Sequence, residues 1–138
     1  MAAPVRLLIH GANGRMGQAL QRLCRDEDHG CEVVAAVSRA VVERVVDGIP
    51  RFAASELAGV PAFDVAIDFS LPAGFDAVLG LCVARGAPLV CGTTGLSAGQ
   101  ESALDAAAAR IPLTWASNFS LGVAVLHELV ERAARALP

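Results

Sequence analysis

The seven residues Gly11-Ala12-Asn13-Gly14-Arg15-Met16-Gly17 constrain this chain more than any other segment. They follow a short apolar, β-branched run, Val5 to Ile9, which reads as a buried parallel strand. From Gly14 to about Arg25 a helical pattern puts Met16, Ala19, Leu20 and Leu23 on one face. Asp26 to Gly30, with His29, is a polar turn, and Cys31 to Val37 reads as a second strand. Strand, tight glycine turn, helix and strand form a βαβ unit, whose crossover is expected to be right-handed.

The chemistry of such a turn is specific. A pyrophosphate needs backbone N–H donors at close range and the positive end of a helix dipole behind them. Side chains would obstruct that approach, so glycine is used. Gly11 permits the tight turn, Gly14 the close contact at the helix start, and Gly17 close packing of the helix on the sheet. The spacing is G-x-x-G-x-x-G rather than the usual G-x-G-x-x-G, with Asn13 in place of the middle glycine. Asparagine tolerates left-handed backbone better than most residues. By itself such a turn is also compatible with an ordinary βα connection; its place between strand and helix favours phosphate binding.

Beyond the second strand, Arg39 to Val60 mixes apolar and charged residues, with turn signals at Asp47-Gly48 and Ile49-Pro50 and a short strand near Arg51 to Ala53. Regular alternation resumes after Pro61. Val65 to Phe69 reads as a strand, Ala73 to Arg85 as a helix stopped by Gly86 and Pro88, and Leu89 to Cys91 as a strand. Ser97 to Arg110 is an alanine-rich helix and Leu113 to Ala116 a strand. The expected fold is therefore α/β, a Rossmann-like, doubly wound parallel sheet with helices on both faces, in one domain of 138 residues. Leu121 to Leu137 is an amphipathic helix with Leu126, Leu129, Val130, Ala133 and Leu137 on one side and Ser120 or Asn118 as its cap. The chain ends directly after it at Pro138, the pattern expected of a fragment whose last helix leads toward a further domain.

Composition excludes several function classes. A net charge of −3 without a basic stripe argues against nucleic acid as the main partner. No apolar run approaches the ~20 residues of a membrane helix, and no secretory leader is visible, so a cytoplasmic location is expected. Cys24, Cys31, Cys82 and Cys91 lack C-x-x-C spacing and read as small core residues kept reduced. His10, His29 and His127 are dispersed, and no metal site is expected. There is no Lys and no Tyr, so any step needing either is not carried by this chain.

The end of the second strand, Val37-Ser38-Arg39, is where an adenosine ribose would lie. An acid there accepts from both ribose hydroxyls and favours NAD, whereas Arg without an acid pairs with a 2′-phosphate. Ser38 and Arg39, with Arg15 on the glycine turn, therefore point to NADPH over NADH; the alternative is that Arg39 is a solvated loop charge.

Three further segments fall at predicted strand ends: Asp68-Phe69-Ser70, Gly92-Thr93-Thr94-Gly95 and Ala116-Ser117-Asn118-Phe119-Ser120. In an open α/β sheet these loops converge on one crevice with the glycine turn. Asp64 and Asp68 are expected to serve in capping or loop hydrogen bonding, and Ser70 is the better candidate for a ligand contact. His10 reads as a strand-end residue.

In order and approximate spacing, GRMG, DFS, GTTG and NFS resemble the motif series of the dihydrodipicolinate reductase family across essentially the whole chain. The resemblance implies the cofactor half of a reductase of lysine and diaminopimelate biosynthesis, passing hydride from NADPH or NADH to a cyclic unsaturated imine dicarboxylate. It places Gly11, Ala12, Asn13, Gly14, Arg15 and Met16 at the pyrophosphate and Ser38 and Arg39 at the ribose. Gly92, Thr93 and Thr94, with Ala116, Ser117, Asn118 and Phe119, fall at the nicotinamide pocket, and Phe69 and Ser70 are further expected cofactor contacts. Ser38 stands where many relatives carry an acid. The family's histidine pair, catalytic lysine and substrate-carboxylate loop have no counterpart here, and His10 and His127 match neither histidine. No catalytic residue is therefore expected in this chain. The resemblance further implies a homotetramer assembled through the second domain, and a monomer for this half alone.

Two other readings share the fold and the turn. One is a binding module without reductase chemistry, such as a redox-sensing regulator or a CoA-binding domain; the other is the nucleotide domain of a semialdehyde or homoserine dehydrogenase.

Overall fold

The structure, a computed structural model, describes residues 3–26 and 30–137. His29 in the expected turn lies outside them, as does Pro138. Strand β1 (Val5–His10) leads through the glycine turn into helix α1 (Arg15–Asp26) and back through β2 (Cys31–Ser38). A short strand β3 (Val45–Val46) and β4 (Ile49–Ala53) follow, then a 3-10 turn (Ala54–Gly59) and β5 (Val65–Asp68). Helix α2 (Pro72–Arg85), β6 (Leu89–Cys91), α3 (Ala98–Ala108), β7 (Leu113–Trp115) and α4 (Leu121–Ala136) complete the chain.

Among the described residues the sheet has seven strands in the order β3-β4-β2-β1-β5-β6-β7. All neighbours are parallel except β3 and β4, which form an antiparallel hairpin at one edge. The expected parallel sheet thus gains an antiparallel edge. Asp47 and Gly48 connect the hairpin with φ of +52° and +78°, the type I′ pair that matches strand twist in a two-residue loop. From β1 the chain winds outward to β2 and β4, then returns to the other side of β1 as β5. The β1–β5 boundary is therefore the topological switch point, where open α/β sheets hold ligands.

Side-chain alternation assigns the two faces. Leu8, Ala66 and Leu89 are in register on one face and pack against α2, α3 and the 3-10 turn, with Phe75, Val78 and Cys82 at the centre of this main core. Ile9 and Ala36 lie on the other face beneath α1, beside Leu20 and Cys24. Past β1 that second face continues through Ile67 and Val90, in register with Ile9 but only half-buried. Helix α4 has no buried residue, and Leu126, Leu129 and Val130 along its apolar stripe are each more than half exposed.

Helix boundaries have local causes. Pro72 opens α2, where its missing N–H costs nothing, and Gly86 closes it at φ +63°. Ser97 caps α3 and exchanges hydrogen bonds with Gln100.

Phe75 is fully buried at the centre of the main core. Phe75→Ala should lower unfolding free energy by roughly 3–5 kcal/mol through lost burial and the cavity left behind, measured by urea denaturation; a loss below about 1 kcal/mol would contradict this packing.

Candidate functional site

The chain reverses at Gly11 with φ +79°. A Cβ there would stand only 2.7 Å from the Phe69 carbonyl carbon and 2.8 Å from the Ser70 nitrogen, so the turn can rest against the end of β5 only with glycine in place. At Gly17 a Cβ would come within 2.7 Å of Ala12 Cα. Its close partner is thus the backbone of the glycine turn rather than the sheet.

The polarity of the turn is set by its hydrogen bonds. The amides of Gly11 and Ala12 both donate to the Val37 carbonyl at 3.0 Å, and that of Gly14 to the Gly11 carbonyl at 3.0 Å. Those of Asn13, Arg15 and Met16 have no protein acceptor among the described residues. Carbonyls of the same turn are held from α1. Gln18 Nε2 donates to the Asn13 oxygen at 3.0 Å, and Gln21 Nε2 to those of Ala12 and Gly17 at 2.7 and 2.9 Å. The first turn of α1 carries no acidic residue. Open amides at the positive end of a helix with no competing carboxylate are suited to an anion. Sequence reasoning passed over Gln18 and Gln21. The available signal was Gln21, a buried amide one turn after Gly17 and one before Cys24 on the inward face of α1.

At the end of β2, Ser38 is buried and Arg39 exposed. An open cleft of about 320 Å³ lies beside them, lined by Asn13, Ser38, Ala40, Val42, Glu43 and Arg51 among others. Arg39 adjoins this cleft only through its neighbours. Arg51 comes from β4, inside the short strand expected from sequence, and was not singled out there as a site residue.

Asp68 ties the remaining loops together. Its carboxylate is fully buried, with Oδ1 2.8 Å from His10 Nδ1 and accepting from the Ser70 amide at 3.1 Å. Oδ2 accepts from Thr93 Oγ1 at 2.8 Å, with Cys91 Sγ at 3.7 Å. Burial pushes the Asp68 pKa up, but the bonds from His10, Ser70 and Thr93 outweigh it and hold the carboxyl below its ordinary range. Burial drives the Cys82 and Cys91 thiols up to about 12 and about 11, so both stay protonated. Gly74 of α2 lies over His10, where a Cβ would come within 2.9 Å of Cε1. Loop hydrogen bonding, expected for Asp68, is its arrangement here. Asp64 instead accepts from the Arg6 amide at 2.8 Å and pairs with the Arg6 guanidinium at 2.7 Å.

From Asp68 the contacts run outward to β7. The Phe69 ring lies against Gly92, where any Cβ would collide with it, and meets Phe119 edge-on at 5.5 Å. Trp115 Nε1 donates to the Thr93 carbonyl at 3.1 Å. Thr93 therefore has its hydroxyl turned to Asp68 and its carbonyl bonded to Trp115, whereas Thr94 is exposed. Asn118 Oδ1 accepts from the Ser120 amide at 2.7 Å, and Ser120 Oγ caps α4 through Val123. Ala116 is half-buried, and Ser117, Asn118 and Phe119 are exposed beside it. All the strand-end loops expected to meet do so along one rim of the sheet.

Residues 5–119 match the family model described as "Dihydrodipicolinate reductase, N-terminus". The chain belongs to this reductase family. The matched span holds every strand-end loop of the rim and stops just before α4. Curated relatives named 4-hydroxy-tetrahydrodipicolinate reductase agree. That of Stenotrophomonas maltophilia (strain R551-3) is 71% identical over 135 residues, covering 97% of this chain and 56% of that protein. That of Xanthomonas campestris pv. campestris (strain B100) is 65% identical over 136 residues, covering 99% and 57%. The chain thus spans little more than half the length of these family members. The fold also matches the dipicolinate-bound dihydrodipicolinate reductase from Paenisporosarcina sp. TG-14, with a TM-score of 0.72 at 22% identity over 95% of this chain and 54% of that one.

The Asp68 arrangement predicts an acid limb of stability. An unfolded Asp takes up its proton near 3.8, whereas folded Asp68 does so only at lower pH. Between the two the unfolded state binds more protons, so this contribution is present above the unfolded value and lost as pH falls through the folded one. Asp68→Asn should cost roughly 1–3 kcal/mol at neutral pH and flatten the loss of stability as pH falls below the unfolded Asp value. Urea denaturation across that range measures both, and parallel acid limbs in the two proteins would refute the assignment.

Proposed function

We propose that this chain is the cofactor-binding part of an NAD(P)H-dependent 4-hydroxy-tetrahydrodipicolinate reductase in lysine and diaminopimelate biosynthesis, with NADPH as the preferred dinucleotide. The observation that carries the reading is the set of unpartnered amides of Asn13, Arg15 and Met16 at the start of α1. Family membership supports the same reading, and the dipicolinate in the Paenisporosarcina structure supports a small dicarboxylate as substrate class.

The residues present fit such a cofactor. The turn is stripped of side chains at Gly11 and Gly14, and Gln18 and Gln21 draw its carbonyls away from the face a diphosphate would meet. Ser38 and the neighbouring cleft would take the adenosine ribose, with Arg39 at its edge. The nicotinamide side would be formed by the rim from Phe69 and Ser70 through Gly92, Thr93 and Thr94 to Ala116, Ser117, Asn118 and Phe119. With its hydroxyl bonded to Asp68, its carbonyl to Trp115 and its amide turned to the Cys91 sulfur, Thr93 would shape this side by holding the loop in place. Bound, the cofactor supplies the hydride; the chain's work is to orient it and keep one ring face open to substrate.

No lysine is present, and His10 faces Asp68 from beneath Gly74, so substrate binding and protonation fall to the remainder of the longer protein. This chain alone should bind cofactor without turnover, and assembly into a tetramer would likewise use the other half.

Titration followed by nucleotide fluorescence and thermal stability should show binding of NADPH and weaker binding of NADH, with no stabilisation by CoA. A folded protein that ignored both pyridine dinucleotides would overturn the reading. Met16→Asp separates helix from ligand: a carboxylate in the acid-free first turn should stabilise α1 by roughly 0.3–1 kcal/mol yet weaken dinucleotide binding about tenfold by repulsion.

A further inference from the structure

We propose that Arg51, on β4, is a specificity-determining residue that receives the 2′-phosphate of NADPH in the cleft beside Ser38. The inference rests on the dinucleotide reading above and adds to it a residue outside the glycine turn and the β2 end.

Strand register brings Arg51 to this place. It pairs with Ala36 in the parallel β2–β4 ladder and so shares the sheet face covered by α1, the side from which the glycine turn rises. It lines the cleft together with Asn13 and Ser38. Its guanidinium is undercommitted. Nη1 reaches Asn13 Oδ1 at 3.5 Å, and Nε is buried without a hydrogen-bond partner among the described residues. Among the described residues, Arg6, Arg25, Arg44, Arg132 and Arg135 each pair with a carboxylate, and Arg85 donates to three backbone carbonyls. Arg51 has neither kind of partner. A guanidinium anchored on a strand, partly desolvated and facing a cleft, is suited to a dianionic phosphate, which a fork of N–H donors binds bidentately.

Charge in the cleft sorts the two dinucleotides. Ser38 offers a neutral hydroxyl where an acid would claim the ribose hydroxyls of NADH. Among the described residues the one carboxylate lining the cleft, Glu43, is exposed on the irregular loop between β2 and β3. Solvent screens it, whereas the half-buried Arg51 is screened less, so the fixed cation dominates the choice.

Binding of NADPH, NADH and the fragment 2′,5′-ADP is compared in the protein and its variants. Arg51→Met should weaken NADPH and 2′,5′-ADP at least tenfold and leave NADH within twofold. Arg51→Lys, which keeps the charge without the fork, should lie between, and guards against a methionine variant that fails to fold. Glu43→Gln should leave NADH within twofold. Equal weakening of both dinucleotides by Arg51→Met would make Arg51 a support for Asn13 and overturn the proposal, as would no change in either. A tenfold loss of NADH in Glu43→Gln would assign the ribose to Glu43 and overturn it too. If unaltered protein bound neither dinucleotide, the underlying reading would fail instead.

Discussion

Asp68 lies out of contact with solvent among the ends of β1, β5 and β6, where an ionised carboxylate persists only while donors surround it. His10, the Ser70 amide and Thr93 supply that surrounding, one from each neighbouring strand end or its loop. The same bonds that offset desolvation therefore fix three loops relative to one another. Gly74 leaves room for His10 under α2, and Gly11 lets the glycine turn close onto Phe69 and Ser70. Moving any one of these loops would strand a buried charge. That constraint joins the ends of β1, β5 and β6 into a single rim.

Rigidity on that rim is matched by open hydrogen-bonding capacity at the start of α1. The glycine turn uses some of its amides to hold itself on Val37, while Gln18 and Gln21 take its carbonyls. What remains unpartnered is uniformly of donor character. An anion arriving there would meet amides already oriented, so its binding would cost little conformational entropy. The cleft beside Ser38 continues this arrangement outward. There Arg51 supplies positive charge without a carboxylate partner among the described residues. A diphosphate and a more distant phosphate could thus be served by two elements that are far apart in sequence but meet across β2.

Much of the fold was legible because apolar runs, glycine stops and helical periodicity are local signals. The strands at Val5, Cys31, Val65, Leu89 and Leu113 and all four helices appear within a few residues of where those signals put them. The hairpin at Asp47-Gly48 was visible only as a turn, since a two-residue strand carries too little alternation to register. The 3-10 turn Ala54–Gly59 escaped for a similar reason; it is held by Glu56, which accepts from Ala53 and pairs with Arg44. At the site, the glycine turn and the strand-end motifs could be read directly. Gln21, Gly74 and Arg51 could not, since each matters through a neighbour distant along the chain.

By itself the sequence determined the βαβ beginning, the α/β class and the loops that meet at the strand ends, because turn chemistry and periodicity act over a few residues. It also determined that α4 has an apolar stripe and a cap at Ser120 or Asn118, between which the structure chose Ser120. Tertiary structure alone decided that α4 buries none of that stripe against the sheet among the described residues, leaving it to the Ser120 cap and ion pairs such as Glu128–Arg132. It alone decided that Thr93 turns inward to Asp68 and that Arg51 reaches the cleft. Burial and charge pairing belong to sets of residues brought together by strand order, and strand order is a property of the whole sheet.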